Sequence, residues 1–356
     1  MGKLKTRRPK AARTLRSAGD LAAAGLVAPT RRAELARVAE RYAVAVTDDL
    51  AGLIDPADPA DPIARQFLPD SRELRRAPDE RDDPIGDAAN SPIKGIVHRY
   101  PDRVLLTPVH ACPVYCRFCF RREKVGPGGA ALTRAETAAA LDYIRAHTEI
   151  FEVILTGGDP LVLAPDKLGA LVAALGAIPH VRAIRLHTRA PVARPGVVTA
   201  ALARALRSEK AVYLVLHCNH PREVTKALAA AVLRLVRAGV PVLSQSVLLK
   251  GVNADAATLE ALFRALLAAR VKPYYLHHPD LAPGTAHFRV DLAAGQALMR
   301  GLRGRLSGLA QPAYVLDVPG GHGKVPVGPV YAEAKDGAWT IEDPRGKRHR
   351  YPPERG

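Results

Sequence analysis

The segment His110-Ala-Cys-Pro-Val-Tyr-Cys-Arg-Phe-Cys-Phe-Arg-Arg122 holds three of the four cysteines of this chain, in a CxxxCxxC pattern. Three thiolates on one short loop can bind three irons of a [4Fe–4S] cluster. The fourth iron then has no protein ligand and is open to a small molecule. We therefore treat Cys112, Cys116 and Cys119 as candidate cluster ligands and interpret the rest of the chain from this loop.

Two other uses of these cysteines fit their spacing less well. A structural zinc site needs four ligands, usually as two CxxC-like pairs, and only His217 and Cys218 could supply a second pair. Disulfides are a weaker explanation still, because three cysteines within eight residues cannot all pair. No signal peptide precedes the loop, so we expect a cytoplasmic protein in a reducing compartment.

Composition narrows the functional classes. The 356 residues are 48% hydrophobic and 24% charged, which is ordinary for a globular enzyme. No apolar run approaches the roughly 18 residues that span a membrane. The net charge of +17 implies attraction to phosphates, nucleic acid or an acidic protein, but an arginine-rich solvated surface is the explanation that we favour. The segment Lys3–Arg16, with seven basic residues and no acidic one, is typical of a disordered arm or a transit peptide.

From about residue 100 the chain alternates short aliphatic runs with helical stretches rich in Ala and Leu. The candidate strands are Arg103–Pro108, Glu152–Thr156, Ala183–Thr188, Val212–His217, Val240–Val247 and Lys272–His277. The candidate helices are 133–147, 165–175, 196–207, 222–237 and 257–269. Repeated βα units imply a parallel sheet, which could be doubly wound or curved into a barrel.

Polar residues and glycines follow each of these six strands. They are Cys112–Cys119, Gly157-Gly158-Asp159, Thr188-Arg189, His217, Gln245 and Asp280, in strand order. Active sites of parallel α/β barrels lie at the C-terminal ends of the strands. This placement favours a partial (β/α)₆ barrel with a site at that end.

The flanking regions look different from the repeating part. Residues 30–56 have helical periodicity, a Pro/Asp-rich linker follows, and 63–95 look mostly extended or looped. After residue 293 we expect a helix, a strand Ala313–Val318, a glycine-rich loop and, from Val330, a short hairpin. We therefore divide the chain into an N-terminal extension (1–95), a barrel (96–292) and a C-terminal segment (293–356).

Lys324 lies in the glycine-rich loop Pro319–Lys324, and glycines allow a ligand to approach the backbone closely. Pyridoxal phosphate (PLP) needs a lysine for covalent attachment and cationic groups for its phosphate. Arg99 and Arg103, just before the cysteine loop, could supply the cations. Surface charge and a solvated loop lysine are the simpler explanations if each is considered alone.

The spacing of the cysteines, with an aromatic residue before the third, resembles the radical S-adenosylmethionine (SAM) superfamily. The whole set of motifs resembles one family, the lysine 2,3-aminomutases, which use a cluster–SAM pair together with PLP. The segments that carry this resemblance lie between residues 60 and 330. They are His98–Arg103, Cys112–Arg122, Thr156–Pro160, His187–Pro191, His217–Pro221, Leu243–Leu249, Pro273–Leu276 and Asp317–Pro326.

The resemblance implies a partial (β/α)₆ TIM-like radical SAM barrel with a helical N-terminal extension and a short C-terminal segment. By the same resemblance, Cys112, Cys116 and Cys119 would bind the [4Fe–4S] cluster. Lys324 would hold PLP, with Arg99 and Arg103 on its phosphate. The other implied cofactor-binding residues, on the SAM side, are Gly157, Gly158, Asp159, Thr188, Arg189, His217 and Gln245. Arg121 would pair with the substrate carboxylate, and Asp280 and Asp317 would bind its distal ammonium.

The resemblance implies an isomerase that interconverts L-lysine and L-β-lysine, in which a radical derived from SAM removes a hydrogen and the amino group migrates. A shorter relative acts on a lysine attached to elongation factor P, and this chain resembles it in length, so this alternative stays open. The resemblance also implies an electron donor such as flavodoxin or ferredoxin, and it leaves open whether the protein forms a homo-oligomer. No cysteine follows Cys218, so the inter-subunit zinc site of the long lysine aminomutases should be absent. A nucleic-acid-binding module is the alternative from another class, but aromatic residues make up only 5% of the chain.

Overall fold

The computed structural model describes residues 13–335 and 337–353, so most of the predicted basic arm, residues 3–12, lies outside the described residues. The strands are Thr14–Leu15 (β1), Val46–Thr47 (β2), Ile96–Tyr100 (β3), Arg103–Val109 (β4), Glu152–Gly157 (β5), Ala183–Thr188 (β6), Ala211–His217 (β7), Val242–Val247 (β8), Val271–His277 (β9), Ala313–Val318 (β10), Gly323–Pro326 (β11), Ala332–Lys335 (β12), Ala338–Glu342 (β13) and Arg348–Tyr351 (β14). The helices are Ala18–Ala23 (α1), Arg32–Arg41 (α2), Asp48–Ala51 (α3), Pro62–Phe67 (α4), Arg134–Ala146 (α5), Pro165–Gly176 (α6), Ala190–Ala193 (α7), Ala200–Ala205 (α8), Lys226–Arg237 (α9), Ala256–Ala268 (α10) and Leu292–Leu302 (α11).

One sheet of nine strands forms the centre, in the order β11-β10-β9-β8-β7-β6-β5-β4-β3. Strands β4 to β10 run parallel, and β3 and β11 pair antiparallel at the two edges. The two edges meet where the backbone N–H of Lys324 donates to the Tyr100 hydroxyl, at 2.6 Å. The sheet is thus a nearly closed barrel, and the predicted partial barrel with six βα units is confirmed.

The buried faces of strands and helices explain why these segments fold together. In β5, residues Val153 to Thr156 are all buried, as expected for a parallel strand that is covered on both sides. In α9, Leu228, Val232 and Leu235 are buried at helical spacing, so one face of the helix packs on the sheet. Thr225 caps this helix, its hydroxyl accepting from the Leu228 N–H at 3.1 Å.

The predicted continuous helix over 30–56 is wrong. Helix α2 ends at Arg41, and Tyr42 has an extended backbone. Val44 and Val46 are buried, and β-branched residues favour such extended segments. Thr47 then starts α3, because its hydroxyl accepts from the Leu50 N–H.

The expectation of irregular structure over 63–95 missed a short helix. Asp61 caps α4, its Oδ1 accepting from the N–H groups of Ile63 and Ala64 at 2.8 and 2.7 Å. Pro62 occupies the first helical position, where a missing N–H costs nothing. Strand β3 was also missed, although it forms one edge of the barrel.

The structure differs from the sequence predictions in three smaller ways, which concern two helix starts, the position of Lys324 and the C-terminal tail. The helices predicted over 196–207 and 222–237 begin later, at Ala200 and Lys226, because the threonine before each caps it. Lys324 lies on strand β11, paired with Asp317 of β10, rather than in a loop. The C-terminal tail forms a three-stranded antiparallel sheet, β12-β13-β14, instead of a hairpin.

The domain boundaries at 95 and 292 stay predictions. Within the described residues, no helix combines the length and apolar character that crossing a membrane requires.

Candidate active site

The C-terminal ends of the parallel strands surround a cavity of about 520 Å³. Its lining includes all sixteen residues that the sequence suggested, from the three cysteines to Lys324. Cysteines and glycines lie on the side of β4 and β5, whereas Asp317 and Lys324 come from β10 and β11. The fold therefore brings the predicted residues together, while their individual roles stay predictions.

Cys112, Cys116 and Cys119 line the cavity on the segment that leaves β4. All three are free, and burial raises the pKa of each thiol, that of Cys116 to about 12. They are thus neutral thiols at pH 7 until a metal replaces their protons. Among residues 13–335 and 337–353, no three His, Cys, Asp or Glu side chains converge as the ligands of a single ion do. In a cluster each thiolate binds its own iron, so the three sulfurs need not meet at one point.

The alternative zinc site does not form around the second pair of residues. The Cys218 thiol is buried in the hydrophobic core, with Sγ 3.7 Å from the His220 carbonyl oxygen. His217, its neighbour on the chain, instead lines the cavity. Because the two side chains point to opposite sides of the strand end, they cannot join the three cysteines around one ion.

The cysteine loop is held from outside by a buried ion pair. The Arg117 guanidinium donates to both carboxylate oxygens of Glu73, at 2.9 Å from Nε and 2.6 Å from Nη2. Arg122 also donates to Glu73, and the Tyr115 hydroxyl donates to the Arg122 carbonyl at 2.7 Å. These contacts fix the backbone between and beyond the cysteines from a residue of the N-terminal extension.

The glycine pair at the end of β5 packs directly on the cysteine loop. The N–H of Gly158 donates to the Val109 carbonyl and that of Asp159 to the Ala111 carbonyl, each at 2.8 Å. A Cβ atom on Gly158 would lie 2.3 Å from the Ala111 oxygen, closer than real contacts allow. The glycine is therefore required for this approach, whatever ligand the turn binds.

Asp159 has a structural role that the sequence did not show. Its Oδ1 accepts from the Leu161 N–H and the Thr188 hydroxyl, and its Oδ2 accepts from the N–H groups of Arg189 and Ala190. These four bonds use the acceptor capacity of the carboxylate and join the ends of β5 and β6. For Asp159 to accept a hydrogen bond from a ligand on the SAM side as well, one of these bonds would have to be given up.

The Arg189 side chain is buried and paired beneath the cysteine loop. Its Nη2 donates to Gln66 Oε1 at 2.8 Å and to Glu223 Oε2 at 2.7 Å. Burial raises the pKa of the Cys116 thiol, and the positive charge of Arg189 offsets part of that rise. Arg189 thus places a fixed positive charge near the cysteines.

His217 and Gln245 lie side by side at the ends of β7 and β8, as partners in the parallel register. The Nε2 atom of His217 is buried and has no hydrogen-bond partner among the described residues. Burial, followed by the charge of Arg189, holds the pKa of His217 well below its ordinary value. The ring is therefore neutral, with one unpaired nitrogen beside the cavity.

Asp87, from the N-terminal extension, bridges two arginines that the sequence assigned to different ligands. Its Oδ1 accepts from Arg99 Nη2 at 3.0 Å, and its Oδ2 accepts from Arg121 Nε at 2.8 Å. All three side chains are at most 14% exposed. Two guanidinium groups sharing one carboxylate leave a net positive charge, which suits a further anion.

Arg103 lies at the cavity edge where the barrel closes. Its guanidinium carbon is 3.7 Å from the centre of the Tyr100 ring, and its Nη1 is 2.6 Å from Asp102 Oδ1. The same tyrosine hydroxyl contacts the backbone of Lys324. Tyr100 therefore contacts both Arg103 and the predicted PLP lysine, Lys324.

Lys324, Asp317 and His277 form a contiguous group on β11, β10 and β9. The Lys324 Nζ contacts Asp317 Oδ2 and lies 3.2 Å from His277 Nδ1. The contacts with His277 and Lys324 hold the pKa of Asp317 well below its ordinary value despite its burial. Asp317 is therefore a carboxylate, and in this structure a lysine ammonium is bound to it.

Asp280 is the unpaired acid of the cavity. No group among the described residues donates a hydrogen bond to its side chain. Burial, and then the negative charge of Asp317, raise the pKa of Asp280 to about 7. This carboxyl is thus poised to ionise when a cation comes close.

Reasoning from sequence missed two residues of this site. Asp87 lies in a stretch with many acidic residues, which looked like an ordinary polar loop. His277 ends β9 and contacts Lys324, so the same strand-end rule that selected Gln245 could have found it.

Two family profiles match the chain. The radical SAM superfamily matches residues 106–263, and the family described as lysine-2,3-aminomutase matches residues 299–340. A methyltransferase of the radical SAM type from Sphaerobacter thermophilus is a structural neighbour, with a TM-score of 0.45 and 22% identity, covering 62% of this chain and 68% of its own.

Curated relatives match over most of the chain. L-lysine 2,3-aminomutase of Clostridium subterminale is 40% identical over 83% of this chain and 71% of its own length. That of Acetoanaerobium sticklandii is 40% identical over 85% of this chain and 73% of its own length. A glutamate 2,3-aminomutase of Clostridioides difficile is also similar, at 38% identity over 84% of this chain and 70% of its own length.

Proposed function

The chain belongs to the lysine 2,3-aminomutase family of radical SAM enzymes, and we propose that it moves the α-amino group of L-lysine to the β carbon, giving L-β-lysine. The observation that carries the choice of lysine is the pair of acids, Asp280 and Asp317, in the same cavity as Arg121. An α-carboxylate favours an arginine, and a distal ammonium favours carboxylates.

The chemistry of the donors suits a [4Fe–4S] cluster with SAM on its open iron. Cys112, Cys116 and Cys119 would hold the cluster, and together the cluster and SAM supply a radical that removes hydrogen from the substrate. The neutral, unpaired Nε2 of His217 and the amide of Gln245 are free to contact SAM beside it. The glycine turn at 157–158 keeps the backbone close to the cysteine loop.

The other side of the cavity suits PLP. Lys324 supplies a primary amine for covalent attachment, and Arg99 and Arg103 supply cations for a phosphate. PLP, when bound, supplies the conjugated carbon through which an amino nitrogen can migrate. The apolar wall made by Val97, Leu105, Ile154 and Val315 would exclude water from the reaction.

The contact between Lys324 and Asp317 supports the proposed role of Asp317. In this structure a primary alkylammonium, chemically the same group as the end of a lysine substrate, contacts Asp317. When the Lys324 nitrogen is committed to PLP, Asp317 becomes free to bind a substrate ammonium. Asp280, which lacks a partner, would complete the pair and become fully ionised. A substrate with a second carboxylate in this position would be repelled by both acids.

Lysine carried by elongation factor P is the alternative substrate, because it offers the same ammonium. The two substrates differ at the α-carboxylate. Free lysine can pair its carboxylate with Arg121, whereas a lysine that is attached to the protein through that carboxylate cannot. We further propose a cytoplasmic location and an electron donor such as flavodoxin or ferredoxin, which the net charge of +17 would attract if it is acidic.

The test is anaerobic incubation of the cluster-loaded protein with SAM, PLP and a reductant, with L-lysine and lysylated elongation factor P supplied together. Formation of β-lysine from the free amino acid supports the proposal, and the Lys324→Ala protein should give none. Rapid conversion of the protein-bound lysine with negligible conversion of free lysine would establish the alternative substrate instead.

A further inference from the structure

The register of three adjacent strands places His277 beside the predicted PLP lysine. In the parallel pair β9–β10, His277 lies opposite Val315, and in the antiparallel pair β10–β11, Asp317 lies opposite Lys324. As a result His277 Nδ1 is 3.2 Å from Lys324 Nζ and 3.7 Å from Asp317 Oδ2. The first distance allows a hydrogen bond, and the second is too long for one.

The surroundings of His277 define its tautomer. Its Nε2 atom is buried without a hydrogen-bond partner among the described residues. Burial, and then the charge of Lys324, lower the pKa of His277, while Asp317 acts in the opposite direction. The ring is therefore neutral, and since Lys324 donates to Nδ1, the ring proton is on Nε2.

We propose that His277 is the proton acceptor for Lys324 during covalent attachment of PLP. Nδ1 takes a proton from the Lys324 ammonium, and the neutral amine attacks the aldehyde carbon of PLP. A carbon–nitrogen bond would form, and one proton would pass from that nitrogen to the former aldehyde oxygen. The proton on Nδ1 would then go to the same oxygen, the carbon–oxygen bond would break, and the oxygen would leave as water, with one proton and the positive charge remaining on the nitrogen. Atoms and charge balance without any further reactant. This proposal rests on the proposed role of Lys324 in the preceding subsection.

Asp317 cannot replace His277 in this step. Its pKa lies well below the ordinary value, so it is a weak base, although it contacts the same nitrogen. The neutral imidazole of His277, whose Nδ1 lies 3.2 Å from Lys324 Nζ, is the other acceptor on that ammonium. Asp317 instead lies where it would stabilise the imidazolium while it carries the proton.

Several other titratable groups surround His277, and none takes over its role. They are Tyr275 on the same strand, His187 on β6, His217 on β7, Asp317 on β10 and Lys324 on β11. Of these, Lys324 is within hydrogen-bond distance of the His277 ring, and Asp317 is the nearest carboxylate, at 3.7 Å.

The test measures attachment of PLP to the SAM-free protein, without turnover. PLP is mixed with wild type, His277→Gln and His277→Ala between pH 6 and 9, and the adduct is followed by its visible absorbance and by borohydride trapping at Lys324. We expect the attachment rate at pH 7 to fall at least about tenfold in both variants. The rate should then recover only at alkaline pH, where lysine loses its proton without help.

Two further measurements separate proton transfer from a structural effect. Added imidazole should restore the rate of His277→Ala, which a purely structural role would not allow. The matched control is His278→Gln, because His278 is the next residue on β9 but bonds to the Tyr314 hydroxyl, away from the cavity. This variant should keep the wild-type rate at every pH.

Wild-type rates and pH profile in His277→Gln would overturn the proposal. If borohydride does not trap PLP on Lys324 in the wild type, the proposed function fails at its PLP step. This outcome is distinct from a slow but correctly placed adduct in the variants. Equal final attachment at pH 9 in all proteins would show that the variants are folded and that only the rate has changed.

Discussion

Cys116 and Cys218 are both free thiols, but Cys116 is half-buried and Cys218 is fully buried. Cys116 lines the cavity with two other cysteines, whereas Cys218 packs in the core. We predict about four irons per chain after anaerobic reconstitution, and their loss in Cys116→Ala, measured by iron and sulfide analysis and by the visible absorbance. Cys218→Ser is the control and should retain its irons. Stoichiometric zinc in the wild type would contradict the cluster assignment.

Asp280 should make lysine binding depend on pH. With a pKa of about 7 it is largely protonated at pH 6 and ionised at pH 8. A substrate ammonium needs the carboxylate, so affinity for lysine should rise as pH increases through 7. In Asp280→Asn we expect a loss of about tenfold or more at pH 8, or roughly 1.4 kcal/mol, with a flatter pH profile. Calorimetry on the PLP-loaded protein measures this, with the exposed acid variant Asp82→Asn as control.

Ionisation of Asp280 should lower the free energy of unfolding as pH rises, although it strengthens the binding of lysine. A raised pKa means that the folded state binds the Asp280 proton more tightly than the unfolded state. Wild type therefore loses stability, relative to Asp280→Asn, as pH rises from about 4 to 7. At pH 8 the variant should unfold with a free energy about 1–3 kcal/mol above wild type, and the two should agree near pH 4. A constant difference at all pH values would show that Asp280 is not the titrating group.

At the scale of single elements, the turn after β5 tests whether the glycine pair supports the cysteine loop. A Cβ on Gly158 would lie 2.3 Å from the Ala111 oxygen, so Gly158→Ala should displace the segment that begins with Cys112. We expect lower iron retention with a circular dichroism spectrum close to wild type. Gly196→Ala is the matched control, because nothing lies within 4 Å of its Cβ position. Full iron content in Gly158→Ala would mean that the loop is free to move.

The elements that were predictable from sequence are those with repeated, one-sided burial. Strands such as β5 and helices such as α9 show that periodicity directly. The prediction of a helix over 30–56 was wrong because Val44 and Val46, which fit a helical pattern, are buried in an extended segment instead. Short helices such as α4 have too few residues for a period, and only the Asp61-Pro62 cap signals them.

The site was predictable to the extent that strand ends meet in a barrel. Cys112 and Lys324 are separated by more than two hundred residues in sequence, yet both line one cavity because each lies near the same end of the sheet. Asp87 could not be found this way, because it reaches the cavity from a loop outside the repeating units. Pairing between side chains of distant loops leaves no periodic signal in the chain.

At the scale of the whole molecule, the N-terminal extension is part of the active-site structure. Glu73 holds the cysteine loop through Arg117 and Arg122, and Asp87 holds Arg99 and Arg121. A barrel without residues 13–95 would leave these arginines without their carboxylates. The extension and the barrel are therefore expected to unfold together, as a single transition in calorimetry.

Glu73→Gln tests this coupling most directly. The side chains of Glu73, Arg117 and Arg122 are each at most 1% exposed, so the substitution removes the only carboxylate that contacts the two buried guanidinium groups among the described residues. Breaking a buried pair in this way costs about 3–5 kcal/mol, which we expect in the free energy of unfolding from urea titration. The control is Asp79→Asn, whose partner Arg289 forms an ion pair at the surface, with Asp79 57% exposed, and it should cost less than about 1 kcal/mol. Because Glu73 acts on the segment between the cysteines, Glu73→Gln should also lose iron faster to a chelator than the control. Equal stability and equal iron loss in the two variants would mean that the extension only covers the barrel and does not hold the cluster loop in place.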